Sequence, residues 1–574
     1  MMDSPASPRR SWSAARRLTQ LLLLCVTPIL AAPTRSGGNA PKLGAVASEG
    51  AVCSKIGTDL LEQGGNAVDA LVGTVFCIGV VGMYHSGIGG GGFMIVRSKN
   101  GGYEYVDFRE TAPAAAFEDM YRNNTDASLY GGLASGVPGE LRGMEYVHKR
   151  YGALPWKQVM QPAIKVARYG FEVTADLVKY MDQVTPSGKF LTDDPTWAID
   201  FAPHGYRVKL GETMTRKRYA DTLEVIAEEG ADAFYTGAIA NATIATLRKA
   251  NGTMTLEDLK NYTVAIRQPA QITYRGYKLH SCSAPAGGVV ALSALKIVDG
   301  YSGFGDPASI NLTTHRLDEA IRFAYGERGN LGDPSFSTNL TAYQEEMLSD
   351  ETAAEIRSKI SDVQTQNVSW YDPGGIESLE TPGTSHIVTA DRSGIAVSLT
   401  TTVNLLFGSQ VMVPETGVIM NNEMNDFSIP GSSNAFGYIP SAANFIWPGK
   451  RPLSSISPTI VETSDGKLYF VIGAAGGSRI ITSTIQNIHH VLDQNMTAPQ
   501  ALAQPRFHDQ LVPNQVSFEY AYDNSTTAYM KSLGHVVTWV APGQSTAQGV
   551  RLLPNGTFEA AGEARQVASG GFAV

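Results

Sequence analysis

The sequence predicts a mixed α/β fold in which layers of β-sheet are covered by helices. Two helical patterns rich in small residues lie near the N-terminus, and the middle of the chain, about 116 to 367, also has a helical pattern. From Ser385 onward, alternating apolar and polar residues between Gly/Pro turns are typical of strands, and further helical stretches follow. Because helical stretches lie on both sides of the strand-rich part, we expect sheet layers enclosed by helices.

The first two predicted helices are separated by Gly64 and Gly65, and both have Ala, Val and Leu at spacings of three and four. The loop HSGIGGGGFMIV follows them and matches a G-x-G-x-x-G template at Gly87, Gly89 and Gly92. A dinucleotide-binding loop needs a strand before it and a helix after it, whereas here the order is reversed. We therefore interpret the loop as a tight helix-to-strand turn in which glycine lets backbones approach closely.

Residues 1–32 have the layout of an export signal. Four arginines precede the apolar run LLLLCVTPILAA, which ends in small residues. This run is shorter than the roughly 20 residues that span a bilayer, so we expect cleavage, with retention as a signal anchor as the alternative. Asn-X-Ser/Thr sequons fit an exported glycoprotein that is secreted or held at the cell surface or vacuole. They lie at Asn123, Asn241, Asn251, Asn261, Asn311, Asn339, Asn367, Asn495, Asn524 and Asn555.

Cysteine usage and charge exclude several classes of site. Cys53, Cys77 and Cys282 follow the signal, and an odd number in an oxidising compartment implies one bridge and one free thiol. We expect a Cys53–Cys77 disulfide because both residues lie in adjacent apolar helical stretches. No Cys or His spacing is typical of a zinc site, so we expect no metal. The net charge of −9 without a basic patch gives no reason to expect nucleic acid as a partner.

A predicted β-hairpin begins at the Gly383–Thr384 step. SHIVTA and IAVSLTTTV have strand patterns and are separated by the turn signal DRSG. A tight turn places Thr384 opposite Thr401 or Thr402, and Thr402 shares a strand face with Asn404. Cross-strand pairing of threonines is common in sheets, so this pattern alone leaves a purely structural interpretation open.

Ser385 and Thr384 are the two candidate nucleophiles at this hairpin. The sequence has no G-x-S-x-G elbow, and His386 follows Ser385 directly, so the two side chains point to opposite faces. We therefore expect His386 to be a packed or hydrogen-bonded structural residue. If the bond before Thr384 were cut, Thr384 would carry a hydroxyl and an α-amine, whose pKa near 7.7–8.0 suits a base at neutral pH. Gly383 would tolerate the strained backbone that self-cleavage needs.

Several motifs together resemble the γ-glutamyltransferase (γ-glutamyl transpeptidase) family of N-terminal-nucleophile hydrolases, in a eukaryotic, fungal-like secreted form. The matching segments are GAVASEGAVCSKIG, HSGIGGGGFMIV, DFRETAP, GVPGELRGMEYVHKRYGALPW, GTSH, NNEMNDFS, RPLSSISPTIV and GAAGGSRI. The resemblance implies a four-layer αββα sandwich formed jointly by two subunits of one precursor. Autocleavage at Gly383–Thr384 would give a large subunit, 33–383, and a small subunit, 384–574. Together they would form a heterodimer.

The resemblance also implies the reaction. Thr384 would attack the γ-glutamyl amide of glutathione or its conjugates and form a γ-glutamyl-enzyme. Water, or an amino acid or dipeptide acceptor, would then resolve that ester, without a metal or organic cofactor.

The resemblance assigns roles to the remaining motif residues. Arg109, Ser454 and Ser455 would bind the substrate α-carboxylate, for which an Arg fork is suited. Glu423, Asp426 and Asn404 would bind the α-ammonium. The backbone N–H groups of Gly476 and Gly477 would stabilise the oxyanion, and Thr402 would orient Thr384. The family's animal-like members also imply the Cys53–Cys77 bridge.

Two alternatives stay open at this point. A related N-terminal-nucleophile acylase, of glutaryl or cephalosporin type, would not need Glu423 and Asp426, because its acyl group lacks the ammonium. An inactive homologue acting as an interaction protein would need the junction or pocket to be lost, whereas Thr384 and Thr402 are present.

The segment after His386 and the tail GEARQVASGGFAV depart from the family pattern, and Tyr438 belongs to a loop that could cover the pocket.

Overall fold

The computed structural model describes residues 42–184, 187–371, 373, 383–431 and 440–574. The predicted export signal and Tyr438 therefore lie outside the described residues. The strands are β1 (Gly44–Ser48), β2 (Gly91–Arg97), β3 (Tyr103–Asp107), β4 (Phe171–Glu172), β5 (Thr213–Met214), β6 (Ala265–Arg267), β7 (Ala270–Tyr274), β8 (Tyr277–Ser281), β9 (Gly383–Asp391), β10 (Ala396–Asn404), β11 (Thr459–Glu462), β12 (Leu468–Ala475), β13 (Phe507–His508), β14 (Val516–Glu519), β15 (Val537–Val540), β16 (Thr546–Leu552), β17 (Phe558–Ala561) and β18 (Gly570–Ala573).

The α-helices lie between these strands along the chain, singly or in groups of two to four. They are α1 (Ala51–Glu62), α2 (Ala67–Val81), α3 (Glu140–Tyr151), α4 (Trp156–Tyr169), α5 (Ala175–Gln183), α6 (Phe190–Asp193), α7 (Pro195–Phe201), α8 (Lys217–Glu229), α9 (Asp232–Tyr235), α10 (Gly237–Lys249), α11 (Leu256–Asn261), α12 (Gly288–Asp299), α13 (Ile310–Arg328), α14 (Leu340–Met347), α15 (Asp350–Lys359), α16 (Arg479–Leu492), α17 (Ala498–Ala503) and α18 (Asn524–Ser532). Among the described residues, none of these helices is long and apolar enough to cross a membrane.

Two main sheets form the centre of the molecule. The first sheet has the strand order β18-β1-β9-β10-β2-β3-β6, and the second has β17-β16-β12-β11-β8-β7. The sheets contact each other through β9, β10 and β12, where the Ser398 hydroxyl donates to the carbonyl of Ile472 at 2.9 Å. Two smaller sheets, β13-β14-β15 and β4-β5, lie outside this pair.

Side-chain alternation along β9 divides the core into layers. Ile387 packs in the cluster formed by α1, α2, α3, α4 and α8, whereas Val388 packs in the cluster that joins the two sheets and α12, α13 and α16. One outer face of each sheet is therefore covered by helices, and the inner faces meet. This is the αββα order that the resemblance implies.

The α1–α2 pair and its following loop agree with the sequence prediction. Cys53 of α1 and Cys77 of α2 form a disulfide, while Cys282 is a buried free thiol whose pKa is raised by burial. The glycine loop leads from α2 into β2. A Cβ on Gly90 would lie 2.0 Å from the carbonyl oxygen of Thr402, so glycine is required there for close backbone contact.

The middle of the chain contains strands that the helical prediction missed. β7 and β8 lie within it and form the edge of the second sheet. Ile272 and Tyr274 are buried while Gln271 and Thr273 are exposed, which is the period of a strand with one buried face. The prediction of a wholly helical middle region was therefore wrong at this segment, because its strands are only five residues long.

The departing C-terminal tail is part of the first sheet. β18 pairs antiparallel with β1, and the backbone N–H of Leu43 donates to the carbonyl of Val574 at 2.5 Å. The sequons lie on the surface: each asparagine is exposed except Asn311, which is half-buried and accepts a hydrogen bond from Thr526 at 2.7 Å.

Candidate active site

The β9–β10 hairpin places Thr384 directly opposite Thr402. The ladder pairs Ala390 with Ala396 at the turn and runs without a shift to Thr384 and Thr402. Beyond this pair a bulge places Gly383 opposite Asn404, which adopts a positive φ of 76°. Both threonines are buried and face the space between the sheets at the strand ends.

The hydroxyl of Thr402 contacts the Gly383–Thr384 peptide bond. It donates to the carbonyl oxygen of Gly383 at 2.6 Å and accepts from the backbone N–H of Asn404 at 2.6 Å. Gly383 and Thr384 are continuous in β9, so this is the geometry of an uncut chain. A Cβ on Gly383 would lie 2.4 Å from the carbonyl oxygen of Asn404, which explains why glycine precedes Thr384.

A polar pocket opens beside this hairpin end. It contains most of the side chains that the sequence analysis singled out, although they come from separate parts of the chain. Its lining comprises Arg109, Arg328, Thr384, Thr402, Asn404, Glu423, Asp426, Asn444, Leu453, Ser454, Ser455, Ile456, Gly477 and Ile480. Gly476 is adjacent to this lining but is not part of it.

The charged groups of the pocket are paired with one another. Arg109 follows β3, is 1% exposed, and forms ion pairs with both Glu423 and Asp426. The two acids lie on a short 3₁₀ turn, Glu423–Asp426, and burial raises the pKa of Glu423 well above its ordinary value. The resemblance implies that Arg109 and the acids bind opposite charges of a ligand, whereas the structure shows them bound to each other.

Glu110 is a third buried acid that the sequence analysis missed. It is fully buried, it follows Arg109 directly, and neither of its carboxylate oxygens has a hydrogen-bond partner of suitable geometry. Burial raises the pKa of Glu110 to about 8, although Arg109 opposes this shift. The cluster thus contains one guanidinium and three carboxyl groups, so it carries excess negative charge whenever these carboxyl groups are ionised.

Two further residues hold the loop that contains Ser454 and Ser455 against the pocket. Arg328, at the end of α13, donates to the Ser455 hydroxyl at 3.3 Å. Asn444 donates to the backbone carbonyl of Asp426 at 2.7 Å and accepts from the backbone N–H of Leu453 at 2.9 Å. Both residues lie outside the matching motifs, and only their position in the pocket lining identifies them.

The Gly476–Gly477 turn joins β12 to α16 at the pocket wall. Both glycines have positive φ values, 125° and 58°, and α16 begins two residues later. A Cβ on Gly476 would lie 2.6 Å from the carbonyl oxygen of Gln544. A helix N-terminus next to glycines leaves backbone N–H groups available for a developing negative charge.

His386 lies deeper between the sheets. Its Nδ1 is 2.8 Å from the Thr400 hydroxyl, and its ring packs so closely on Gly473 that a Cβ there would lie 2.4 Å away. Burial lowers the pKa of His386 to about 3, so the ring stays neutral. This environment suits the packed structural histidine that the sequence predicts. Ser385 points the other way and donates to Glu49.

Comparisons with known proteins agree with this geometry. A family model described as Gamma-glutamyltranspeptidase matches residues 53–572. The chain is 58% identical to a "Glutathione hydrolase proenzyme" of Arthroderma benhamiae over 546 residues, covering 93% of each chain. It is 53% identical to a "Glutathione hydrolase" of Aspergillus flavus, covering 92% of this chain and 89% of the other. Among solved structures, a cephalosporin acylase from Bacillus halodurans matches with a TM-score of 0.81 and 28% identity, covering 94% and 97%.

Proposed function

Since the chain belongs to the gamma-glutamyltranspeptidase family, we propose that it is a glutathione hydrolase and γ-glutamyltransferase with Thr384 as nucleophile. The observation that carries this proposal is the pocket itself. It places Thr384 near Arg109, Glu423 and Asp426, whose charges are opposite to those of an amino-acid α-carboxylate and α-ammonium. The similarity to fungal glutathione hydrolases supplies the substrate.

The enzyme matures by cleavage of its own chain between Gly383 and Thr384. The Thr384 hydroxyl adds to the carbonyl carbon of Gly383, and the C–N bond then breaks, leaving an ester and a free α-amine. Water hydrolyses the ester, so that Gly383 gains a carboxylate and Thr384 regains its hydroxyl. Thr402 supports this step because its hydroxyl already donates to the Gly383 carbonyl oxygen, on which negative charge develops. The products are a large subunit, 33–383, and a small subunit, 384–574, which form the heterodimer.

The new N-terminus then serves as catalyst. The free α-amine of Thr384 accepts the proton of its own hydroxyl as the oxygen attacks the γ-glutamyl carbonyl. Cysteinylglycine leaves with a proton, and the γ-glutamyl group stays on Thr384 as an ester. Water resolves the ester to glutamate, or an amino acid or dipeptide takes the γ-glutamyl group. The turn at Gly476 and Gly477 stabilises the oxyanion in both steps.

Substrate binding exchanges partners within the charged cluster. The α-carboxylate of the γ-glutamyl group binds Arg109 together with the hydroxyls of Ser454 and Ser455. The α-ammonium takes the place of the guanidinium on Glu423 and Asp426, near the side chain of Asn404. Burial raises the pKa values of Glu423 and Glu110, and a substrate ammonium next to them favours their ionised forms and supplies the positive charge that they lack.

The same cluster argues against an acylase of glutaryl or cephalosporin type. Such an acyl group offers a carboxylate but no ammonium, so it would leave Glu423 and Asp426 buried beside Arg109 alone. The identity to the acylase is 28%, about half of that to the fungal glutathione hydrolases. An inactive homologue is not favoured either, because the pocket contains Thr384, Thr402 and Gly477.

We also propose that the enzyme enters the secretory pathway and is secreted or held at the cell surface or vacuole. The apolar run in residues 1–32 and the exposed sequons support this assignment. N-terminal sequencing of the large subunit, with and without glycosidase treatment of the purified protein, tests it. A large subunit that keeps residues 1–32 and carries no glycan would overturn it.

Denaturing electrophoresis and N-terminal sequencing of the smaller band test the nucleophile. We expect a small subunit that begins at Thr384, and Thr384→Ala should remain one uncut, inactive chain. Thr389→Ala is a matched control, since Thr389 is a buried threonine of the same strand whose hydroxyl donates to Ala67. Release of glutamate from glutathione by Thr384→Ala would show that another group is the nucleophile.

A further inference from the structure

Three side chains outside the active-site pocket converge on one buried point. His315 and Glu319 lie one turn apart on α13, and His535 lies just before β15. One ligand atom of each residue lies within 4.8 Å of the other two, and all three residues are buried. His315 Nδ1 and His535 Nε2 are 2.8 Å apart, and His535 Nε2 is 3.9 Å from Glu319 Oε1.

The hydrogens available in this chain of contacts are too few. His315 Nε2 lies 2.7 Å from the carbonyl oxygen of Ser361, which can only accept, so this nitrogen carries the hydrogen. At the other end, His535 Nδ1 lies 3.1 Å from Asp318 Oδ2. Ser361 to His315, His315 to His535 and His535 to Asp318 make three gaps, but two neutral imidazoles supply only two N–H groups. The imidazole N–H groups therefore cannot fill all three gaps.

The site is also short of positive charge next to its buried acids. Asp318 and Glu319 are both fully buried, and the carboxylate oxygens of Asp318 have no hydrogen-bond partner of suitable geometry. The nearby guanidinium of Arg322 forms its ion pair with Asp509 at 2.8 Å. Among the described residues, His535 lies 3.1 Å from Asp318 and 3.9 Å from Glu319, and the charge of Arg322 also acts on both acids. Burial of carboxylates is costly, and a cation bound next to both acids would reduce that cost.

The neighbouring side chains orient these groups as metal ligands are oriented. Glu319 accepts hydrogen bonds from the hydroxyls of Thr365, at 2.6 Å, and Tyr371, at 2.9 and 3.0 Å. A histidine that binds a metal through one nitrogen usually donates its other N–H to a carbonyl or carboxylate. The carbonyl oxygen of Ser361 has this position for His315, and Asp318 Oδ2 lies 3.1 Å from His535 Nδ1.

We propose that His315, Glu319 and His535 bind a divalent transition-metal ion, with Zn²⁺ the best match to two imidazole nitrogens and one carboxylate. The ion occupies the gap between the two imidazoles, and the two N–H groups then fill the outer gaps to Ser361 and Asp318. Zn–N distances of about 2.0–2.1 Å require the two facing nitrogens to separate by roughly 0.5 Å. The two positive charges balance Asp318 and Glu319.

The site lies between parts of the chain that the proposed cleavage would separate. His315 and Glu319 precede Gly383, whereas His535 follows it, and the backbone N–H of Thr365 donates to the carbonyl of Leu533 at 2.8 Å beside the site. If the proposed maturation is correct, the ion connects the two subunits. The binding site itself does not depend on that cleavage.

Metal content tests the site independently of enzymatic activity. The purified full-length protein is stripped with a chelator, incubated with zinc chloride, desalted and measured by inductively coupled plasma mass spectrometry. We expect about one zinc ion per chain, and Glu319→Gln, which keeps an acceptor for Tyr371 and Thr365, should weaken binding at least ~10-fold. His535→Gln should do the same. At one zinc concentration, zinc should raise the thermal midpoint of the wild type more than that of either variant.

His280→Gln is the matched control, because His280 is a buried histidine 3.6 Å from a different carboxylate, Glu462. It should bind zinc as the wild type does. Wild-type protein without zinc after saturation would overturn the proposal and leave a shared proton as the occupant of the gap. Equal zinc binding by Glu319→Gln and the wild type would also overturn it, since the ion would then lie elsewhere.

Discussion

The hydroxyl of Thr402 donates a 2.6 Å hydrogen bond to the carbonyl oxygen of Gly383, across the bond proposed for cleavage. Attack by Thr384 would place negative charge on this oxygen, so the donor should accelerate cleavage. Loss of one such donor in other enzymes costs roughly 10²–10³-fold in rate. We expect Thr402→Val to slow processing by about that factor. Thr402→Ser, which keeps the hydroxyl, should be processed at nearly the wild-type rate. The fraction of uncut chain, followed over time by denaturing electrophoresis, gives the rate.

Thr400→Val controls for this change, because Thr400 lies on the same strand and its hydroxyl contacts His386 instead. The Thr400→Val chain should be cleaved faster than the Thr402→Val chain. Equal processing of Thr402→Val and the wild type would exclude the hydroxyl from the cleavage step.

Gly383→Ala should block or strongly slow cleavage for a steric reason. Its Cβ would lie 2.4–2.6 Å from backbone atoms of Asn404 and Leu405, so the β9–β10 end must shift and displace the carbonyl from Thr402. Gly102→Ala is the control, since its nearest contact would be an ordinary 3.4 Å. Circular dichroism separates misfolding from a folded but uncut chain. Normal processing of Gly383→Ala would contradict the steric argument.

The parts of the structure that sequence predicted are those governed by local periodicity. The turn signal DRSG and the alternation on each side limit the partner of Thr384 to Thr401 or Thr402, and the ladder selects Thr402. The helix-to-strand order around the glycine loop follows from similar local patterns. The prediction failed at β7 and β8, where strands of five residues carry too few alternations to be distinguished from their helical surroundings.

The charged cluster shows why the site could be predicted only in part. Motifs identify Arg109, Glu423 and Asp426 as candidates, but no periodicity shows that these residues pair with one another. Arg328 reaches the site because the far end of α13 faces Ser455, which depends on tertiary packing. His535 is likewise 220 residues from His315, so no spacing rule for metal ligands could have indicated their contact.

Arg109→Ala should raise the KM for γ-glutamyl substrates with a smaller effect on kcat. The guanidinium binds the substrate α-carboxylate in both the ground and transition states, and loss of a charged hydrogen bond costs about 1.5–3 kcal/mol, or roughly 10–150-fold in KM. Arg109→Lys should recover only part of the lost affinity, because its ammonium keeps the positive charge but lacks the planar fork of the guanidinium.

A γ-aminobutyryl substrate, which lacks the α-carboxylate, distinguishes this role from a merely structural one. The wild type should discriminate strongly against it, and Arg109→Ala should discriminate much less. Undiminished discrimination by the variant would assign the carboxylate to another residue, for which Arg328 is the candidate in the pocket lining.

The Cys53–Cys77 disulfide should contribute to stability through the unfolded chain. It joins two packed helices over a sequence separation of 24 residues, and closure of a loop of that size is worth about 3 kcal/mol. The paired substitution Cys53→Ala with Cys77→Ala should lower the midpoint of chemical unfolding without changing KM, because neither residue lines the pocket. An unchanged midpoint would show that packing between α1 and α2 holds this pair without the bridge.

Glu110 should make stability depend on pH. Burial raises its pKa from an ordinary value of 4.5 to about 8, so between these pH values the folded protein binds a proton that the unfolded chain has released. The favourable contribution of this proton is complete below pH 4.5 and is lost as pH rises through about 8. The free energy of unfolding should therefore fall with rising pH in this window, as far as Glu110 contributes.

Glu110→Gln isolates that contribution because glutamine has the shape of the protonated acid and cannot ionise. The thermal midpoints of the variant and the wild type are measured from pH 5 to 8 at one scan rate. The variant midpoint should increase relative to the wild-type midpoint as pH rises. Glu351→Gln on the exposed start of α15 should follow the wild type throughout. If the difference between Glu110→Gln and the wild type stays constant with pH, Glu110 is already ionised in the folded protein. The carboxyl beside Arg109 would then be a permanent part of the negative charge that attracts the substrate ammonium.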